Sequence, residues 1–144
     1  MDMKSKLLSI QSELKAPKGQ YNSFGKYKYR SCEDILEAVK PLLKKYKVTL
    51  NISDEIEMIG DRFYVKVTAY LRDIESEDCI TNTAYAREET EKKGQDGSQI
   101  TGTASSYARK YCLNGLFLID DMKDSDATNT GQKQETKKDY SHEV

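Results

Sequence analysis

The strongest constraint on this chain is a change of hydrophobic period at residue 48. Val48, Leu50 and Ile52 alternate with Thr49, Asn51 and Ser53, and Ile56 and Met58 carry the pattern on. After Gly60 and Asp61, the residues Phe63, Val65, Val67, Ala69 and Leu71 alternate with Arg62, Tyr64, Lys66, Thr68, Tyr70 and Arg72. Successive side chains of a strand point to opposite faces, so two such runs joined by a Gly turn predict a long hairpin with one buried face. A turn near Ser76 and a Thr- and Ala-rich run over residues 79–87 add a third strand. The expected sheet is an antiparallel three-stranded meander.

Helical patterns flank it. Met3, Leu7, Ile10 and Leu14 share one stripe of an amphipathic helix that Pro17 and Gly19 end. Such a stripe seeks a partner helix or packs on its own domain. Residues 20–30 (QYNSFGKYKYR) read as a loop leading into a short extended piece. Ser31, with Asp34 three positions on, opens a second helix whose buried face is Ile35, Leu36, Val39, Leu42, Leu43 and Tyr46. Pro41 has no amide hydrogen to donate within it, so the helix is expected to kink or to split after Lys40. Residues 88–97 are a charged loop. Ser98 is the expected cap of a third helix running to about Leu116, after which Phe117, Leu118 and Ile119 add a short strand or dock on the core. From Lys123 the chain has too few apolar side chains to offset its conformational entropy and is expected to be disordered. The fold class is therefore α+β: one domain over residues 1–122 with a long helix after the sheet, then a polar tail over residues 123–144.

Charge narrows the function classes only through its distribution. The net charge is −1, but residues 1–47 hold eleven Lys and Arg against five Asp and Glu, and residues 54–78 hold three against eight. A basic first third can draw a polyanion or simply keep the chain soluble. Cys32, Cys79 and Cys112 are odd in number and widely spaced, which argues against a zinc site or a disulfide framework and for a reducing compartment. The opening MDMKSKLLSIQSEL is too polar for a secretory signal, and no apolar run approaches the roughly 18 residues of a membrane span.

Three constellations can carry binding. The outer face of the second long strand presents Arg62, Tyr64, Lys66, Thr68, Tyr70 and Arg72. Basic groups neutralise phosphates and Tyr rings stack on unpaired bases, although the same residues suit the wet face of any strand. The 20–30 segment interleaves Tyr21, Phe24, Tyr27 and Tyr29 with Lys26, Lys28 and Arg30; its aromatics can equally close the core. Residues 99–121 (QITGTASSYARKYCLNGLFLIDD) are rich in small side chains, with Tyr107 and Tyr111 four apart and Arg109 and Lys110 pointing elsewhere. By pattern this is first a close-packing helix. Catalysis has little to build on: the one histidine is His142 in the expected tail, no phosphate-loop motif is present, and Asp120, Asp121, Asp124 and Asp126 read as solvated acids before they read as a nuclease metal site.

GKYKYRSCEDILEAVKPLL (residues 25–43) and DGSQITGTASSYARKYCLNGLFLIDDMKD (residues 96–124) resemble the essential-recombination-function (ERF) superfamily of phage and prophage single-strand annealing proteins. The resemblance runs from the first helix to about Asp126. It implies a non-catalytic protein with no cofactor that binds single-stranded DNA, anneals complementary strands without ATP in recombination and repair, and forms rings or filaments in the cytoplasm of a bacterial host. More remotely the chain is similar to eukaryotic annealing mediators, whose DNA lies between a meander and a long helix. That likeness puts Lys110, with Arg109 beside it, against DNA. The expected contacts are Lys26, Lys28, Arg30, Tyr64, Lys66, Arg87, Lys92, Lys93, Arg109 and Lys110, with the third helix as one wall of a groove and the Tyr/Lys strand and basic loop as candidates for the other. Protomers are expected to join through the sheet edges and the first helix. The alternatives are a strand-protecting protein that does not anneal, and an adaptor for a phage or host regulatory or recombination protein.

Overall fold

A computed structural model describes residues 1–120. In chain order the elements are α1 (Met3–Glu13), β1 (Gln20–Asn22), β2 (Tyr27–Tyr29), α2 (Cys32–Tyr46), β3 (Val48–Ile59), β4 (Arg62–Asp73), β5 (Cys79–Arg87) and α3 (Gly97–Phe117). The expected meander forms, with strand order β3-β4-β5, and the long helix follows it, so the architecture is α+β. The polar tail read from residue 123 lies outside the described residues.

Register makes the sheet two-faced. β3 pairs with β4 from Val48 opposite Asp73 to Ile59 opposite Arg62, and β4 pairs with β5 from Tyr64 opposite Arg87 to Arg72 opposite Cys79. Val65, Val67, Ala69 and Leu71 are buried on one face, with Leu50, Ile52, Ile80, Ala84 and Ala86 packed beside them. α3 crosses that face on Ala104, Ala108 and Cys112, a stripe of small side chains that lets the backbones approach. Asn82 donates its amide to the Cys112 carbonyl at 2.8 Å, the Cys112 thiol donates back to the Asn82 carbonyl at 3.1 Å, and a Cβ at Gly115 would stand 2.9 Å from the Asn82 amide nitrogen. The close packing expected of this helix is therefore real, and it leaves no room between α3 and the core of the sheet. Burial pushes the Cys112 thiol above its ordinary range, and Cys32 likewise, so neither is an activated nucleophile.

Three local expectations are corrected, and a choice left open at residues 117–119 is settled. The cap of α3 is Asp96: its carboxylate accepts from the Gln99 amide, and the Gln99 side chain accepts from the Asp96 amide. Ser98, with Thr101 three positions on, cannot close that reciprocal pair. The helix continues through Phe117 and ends on Leu118 at φ 59°; Phe117 and Ile119 pack on the core, Leu118 is exposed, and no strand forms there. α2 does not split after Lys40 but runs on through Pro41 to Tyr46, with Pro41 and Glu37, one turn before it, on the exposed side. The 20–30 segment is a hairpin: β1 pairs with β2, the Asn22 carboxamide oxygen accepts from the Gly25 amide at 2.9 Å, and Lys26 takes φ 57° in the turn.

α1 packs on its own domain through Met3 and Ile10. Its buried Lys6 ammonium lies 2.8 Å from both Asp73 and Glu75 at the end of β4, tying helix to sheet. Asp73 and Glu75 are held below the usual carboxylate range, chiefly by Lys6, and Lys6 is held above the usual lysine range by Asp73 and then Glu75. The carboxylates' share of stability is thus present above about pH 4, their unfolded value, and is lost as pH falls through the folded values; the lysine's share is full below about pH 10.4 and is lost as pH rises past its folded value. Melting temperature against pH should show a steeper acid arm for the wild type than for Lys6→Met/Asp73→Leu. Equal arms would remove the pair from the account.

Candidate nucleic-acid interface

The edge strand β5 and the first half of α3 leave a cleft of about 340 Å³ between them. Tyr85 and Arg87 border it from the strand, Lys92 and Gln95 from the 88–96 loop, and Ile100, Thr103, Tyr107 and Tyr111 from the helix. The helical spacing explains the last four: positions 100, 103, 107 and 111 recur on one flank, beside the small stripe that faces the sheet. The Tyr107 and Tyr111 rings stand 6.1 Å apart and 28° from parallel. Both residues are about half open to solvent, 50% for Tyr107 and 45% for Tyr111. The loop is held against α3 by the Thr101 hydroxyl donating to Glu88 and the Gln95 amide donating to Thr103. Flat rings, two cations and a half-open shape suit an unpaired base with its phosphate. Glu89 also borders the cleft and tempers its positive charge.

On the outer side of α3, the Lys110 ammonium lies 5.6 Å from the centre of the Tyr29 ring, which joins the helix to the β1–β2 hairpin. Lys110 is three residues from Tyr107, so the cleft and the hairpin meet around the helix surface. Lys26 and Lys28 are exposed on that hairpin, and Phe24 at its tip is 97% exposed. Arg30 turns inward, donating to the carbonyls of Ala16 and Asp120.

The remaining expected contacts lie elsewhere. Arg109 points to the opposite flank, where it pairs with Asp54 of β3 at 3.0 Å, and Ser105 donates to the same carboxylate. Tyr64 and Lys66 stand on the sheet face away from α3, as alternation with buried Val65 requires. Lys66 lies opposite Tyr85 and 3.4 Å from Glu57; Tyr85 first and Glu57 next hold its ammonium above the usual range. The β4 face and α3 therefore do not form two walls of one groove within a protomer. They are joined only round the β5 edge, through Tyr85 and Arg87. Lys93 is exposed on the loop but does not border the cleft. Of the residues the cleft brings together, Tyr85, Tyr107 and Tyr111 were absent from the expected contacts. Tyr107 and Tyr111 carried a signal in their spacing of four; Tyr85 carried none, because strand alternation alone assigns it to the far face.

Among the described residues, no three or more His, Cys, Asp or Glu cluster as a metal site, and no helix is long and apolar enough to cross a membrane. His142, Asp121, Asp124 and Asp126 lie outside the described residues.

Fold and surface together define a small α+β protein with a basic, aromatic cleft between an edge strand and a long terminal helix. The chain belongs to the ERF superfamily, whose family model matches residues 3–143. It is 62% identical over 130 residues to the Essential recombination function protein of Salmonella phage P22, an alignment that covers 90% of this chain and 62% of that relative's length. No solved structure matches the chain.

Proposed function

We propose that this chain binds single-stranded DNA and anneals complementary strands in phage homologous recombination, without ATP, cofactor or catalysis. Family membership and the P22 relative's name support the recombination role. The observation that carries the DNA reading is the cleft where Tyr85, Tyr107 and Tyr111 meet Arg87 and Lys92. The strand follows the cleft, passes Lys110 over the outer side of α3 and continues along the hairpin at Lys28 and Lys26. Lys93 adds charge from the loop, Tyr64 and Lys66 extend the surface past the β5 edge, and Arg109 and Arg30 hold the walls in place from behind. The oligomer aligns these surfaces, strands are concentrated and extended on it, and base pairing drives annealing. The work takes place where phage DNA recombines, in the cytoplasm of the host.

Mixing two complementary labelled oligonucleotides with the protein, without nucleotide or metal, tests the reading. Pairing should be faster than the spontaneous rate, and Lys92→Glu/Lys110→Glu should abolish the gain. Slower pairing with intact binding would leave a strand-protecting protein instead; no binding at all would favour the adaptor reading.

A further inference from the structure

The β3–β4 hairpin outruns the helices that cover the rest of its inner face. Met58 opposite Phe63 and Ile56 opposite buried Val65 continue that face, yet Met58 is 64% exposed, Ile56 54% and Phe63 48%. Apolar side chains left open together at the end of a hairpin form a surface a partner can cover. On the same protomer, α2 and the start of β3 enclose a groove of about 200 Å³ lined by Leu36, Val39, Leu43, Leu50 and Ile52, with Glu33, Glu37 and Lys40 at its rim.

Charge matches the two. The tip carries Asp54, Glu55, Glu57 and Asp61 against Arg62, which is turned to the Glu88 carbonyl, and residues 40–47 beside the groove carry Lys40, Lys44, Lys45 and Lys47 with no Asp or Glu. Some of these are engaged within the protomer: Asp54 by Arg109, Glu57 by Lys66, Lys40 by Glu37, Lys45 by Glu13 and Lys47 by Glu75. Glu55, Asp61 and Lys44 are exposed, and exposed pairs exchange partners at little cost.

We propose that the β3–β4 tip of one copy of this chain seats its Met58 and Phe63 in the α2–β3 groove of a second copy. Tip and groove are different patches, so the contact repeats head to tail and builds a ring or a filament. This gives the assembly part of the proposed function a contact surface and is measured without DNA, so a chain that fails to bind DNA leaves the test intact.

The test is mass in solution, by sedimentation, of the full chain and its variants, each shown folded by circular dichroism. The wild type should run as an oligomer, and Met58→Asp/Phe63→Asp, at exposed positions, should run as a monomer. Leu43→Asp should do the same from the groove side, and mixing the two variants should restore one intact contact and give a two-copy species. Because Leu43 is partly buried, a charge exchange backs it: Lys40→Glu/Lys44→Glu should weaken assembly at least 10-fold, and mixing it with Glu55→Lys/Asp61→Lys should recover it. A monomeric wild type, a tip variant of wild-type mass, or a mixture that fails to associate overturns the proposal.

Discussion

Replacing Tyr107 and Tyr111 together with Ala is expected to weaken binding of a short single strand by at least about 30-fold while leaving its salt dependence unchanged. Stacking of a base on an aromatic ring contributes about 1–3 kcal/mol per base, so two rings set the lower bound at about 2 kcal/mol, or about 30-fold. Stacking neutralises no phosphate and so releases no counterion, and the slope of log affinity against log salt should not move. Arg87→Ala/Lys92→Ala should behave in the opposite way. Each phosphate neutralised on a single strand adds about 0.7 to the slope, so losing two should make it shallower by about 1.4. Both residues are about half exposed and lie outside the core cluster, so loss of folding is not expected to mimic the result, and a melting curve checks this. Fluorescence anisotropy of a labelled oligonucleotide across a salt series separates the pairs. If the Tyr variant keeps wild-type affinity, the cleft is not where bases lie.

How much of this was readable from sequence depends on which interactions are local. The meander was legible because alternation from Val48 to Leu71 is long and unambiguous, and the register set by the Gly60 turn follows from it. The second helix was legible from Ser31 and Asp34, a pair that closes within one turn. The α3 cap was missed because two acceptors, Asp96 and Ser98, compete within three residues, and only Asp96 has a Gln at the reciprocal position. The segment over residues 20–29 shows an extended piece in sequence but not its pairing into a hairpin, because the strands are three residues each, too short for a period to show.

The candidate site was less legible, for a physical reason. Individual cations were easy to nominate, but which of them share a surface depends on the angle at which α3 crosses the sheet, and that is set by the Ala104, Ala108 and Cys112 contact with the sheet face. One residue's rotation on the helix sends Arg109 to Asp54 and Lys110 to Tyr29. Adjacent in sequence, the two differ by about 100° around the axis, so the pair that looked like one basic patch serves two flanks. The same geometry turns Tyr107 and Tyr111, spaced like core residues, into the wall of the cleft.

Phe117→Ala is expected to lower the stability of the fold by about 3–5 kcal/mol, a penalty of more than 10²-fold in the folding equilibrium. Phe117 is fully buried at the end of α3, in the core cluster that also holds Ile10 of α1 and Ile35 and Val39 of α2. After it, Leu118 and Ile119 bring their amides back to the Asn114 carbonyl. The truncation leaves a cavity that rigid neighbours fill only in part, so contact energy is lost together with apolar burial. The cleft lies toward the other end of the helix, bordered by residues from Ile100 to Tyr111, so the folded fraction of the variant should bind a single strand with wild-type affinity. Urea titration should give a lower midpoint with an unchanged slope, since the surface exposed on unfolding is nearly the same. Anisotropy at a temperature where the variant is fully folded then completes the comparison. Unchanged stability would mean that the core does not close on this ring; an affinity loss in the folded variant would mean that the end of α3, and not the small stripe at its middle, sets the position of Tyr107 and Tyr111.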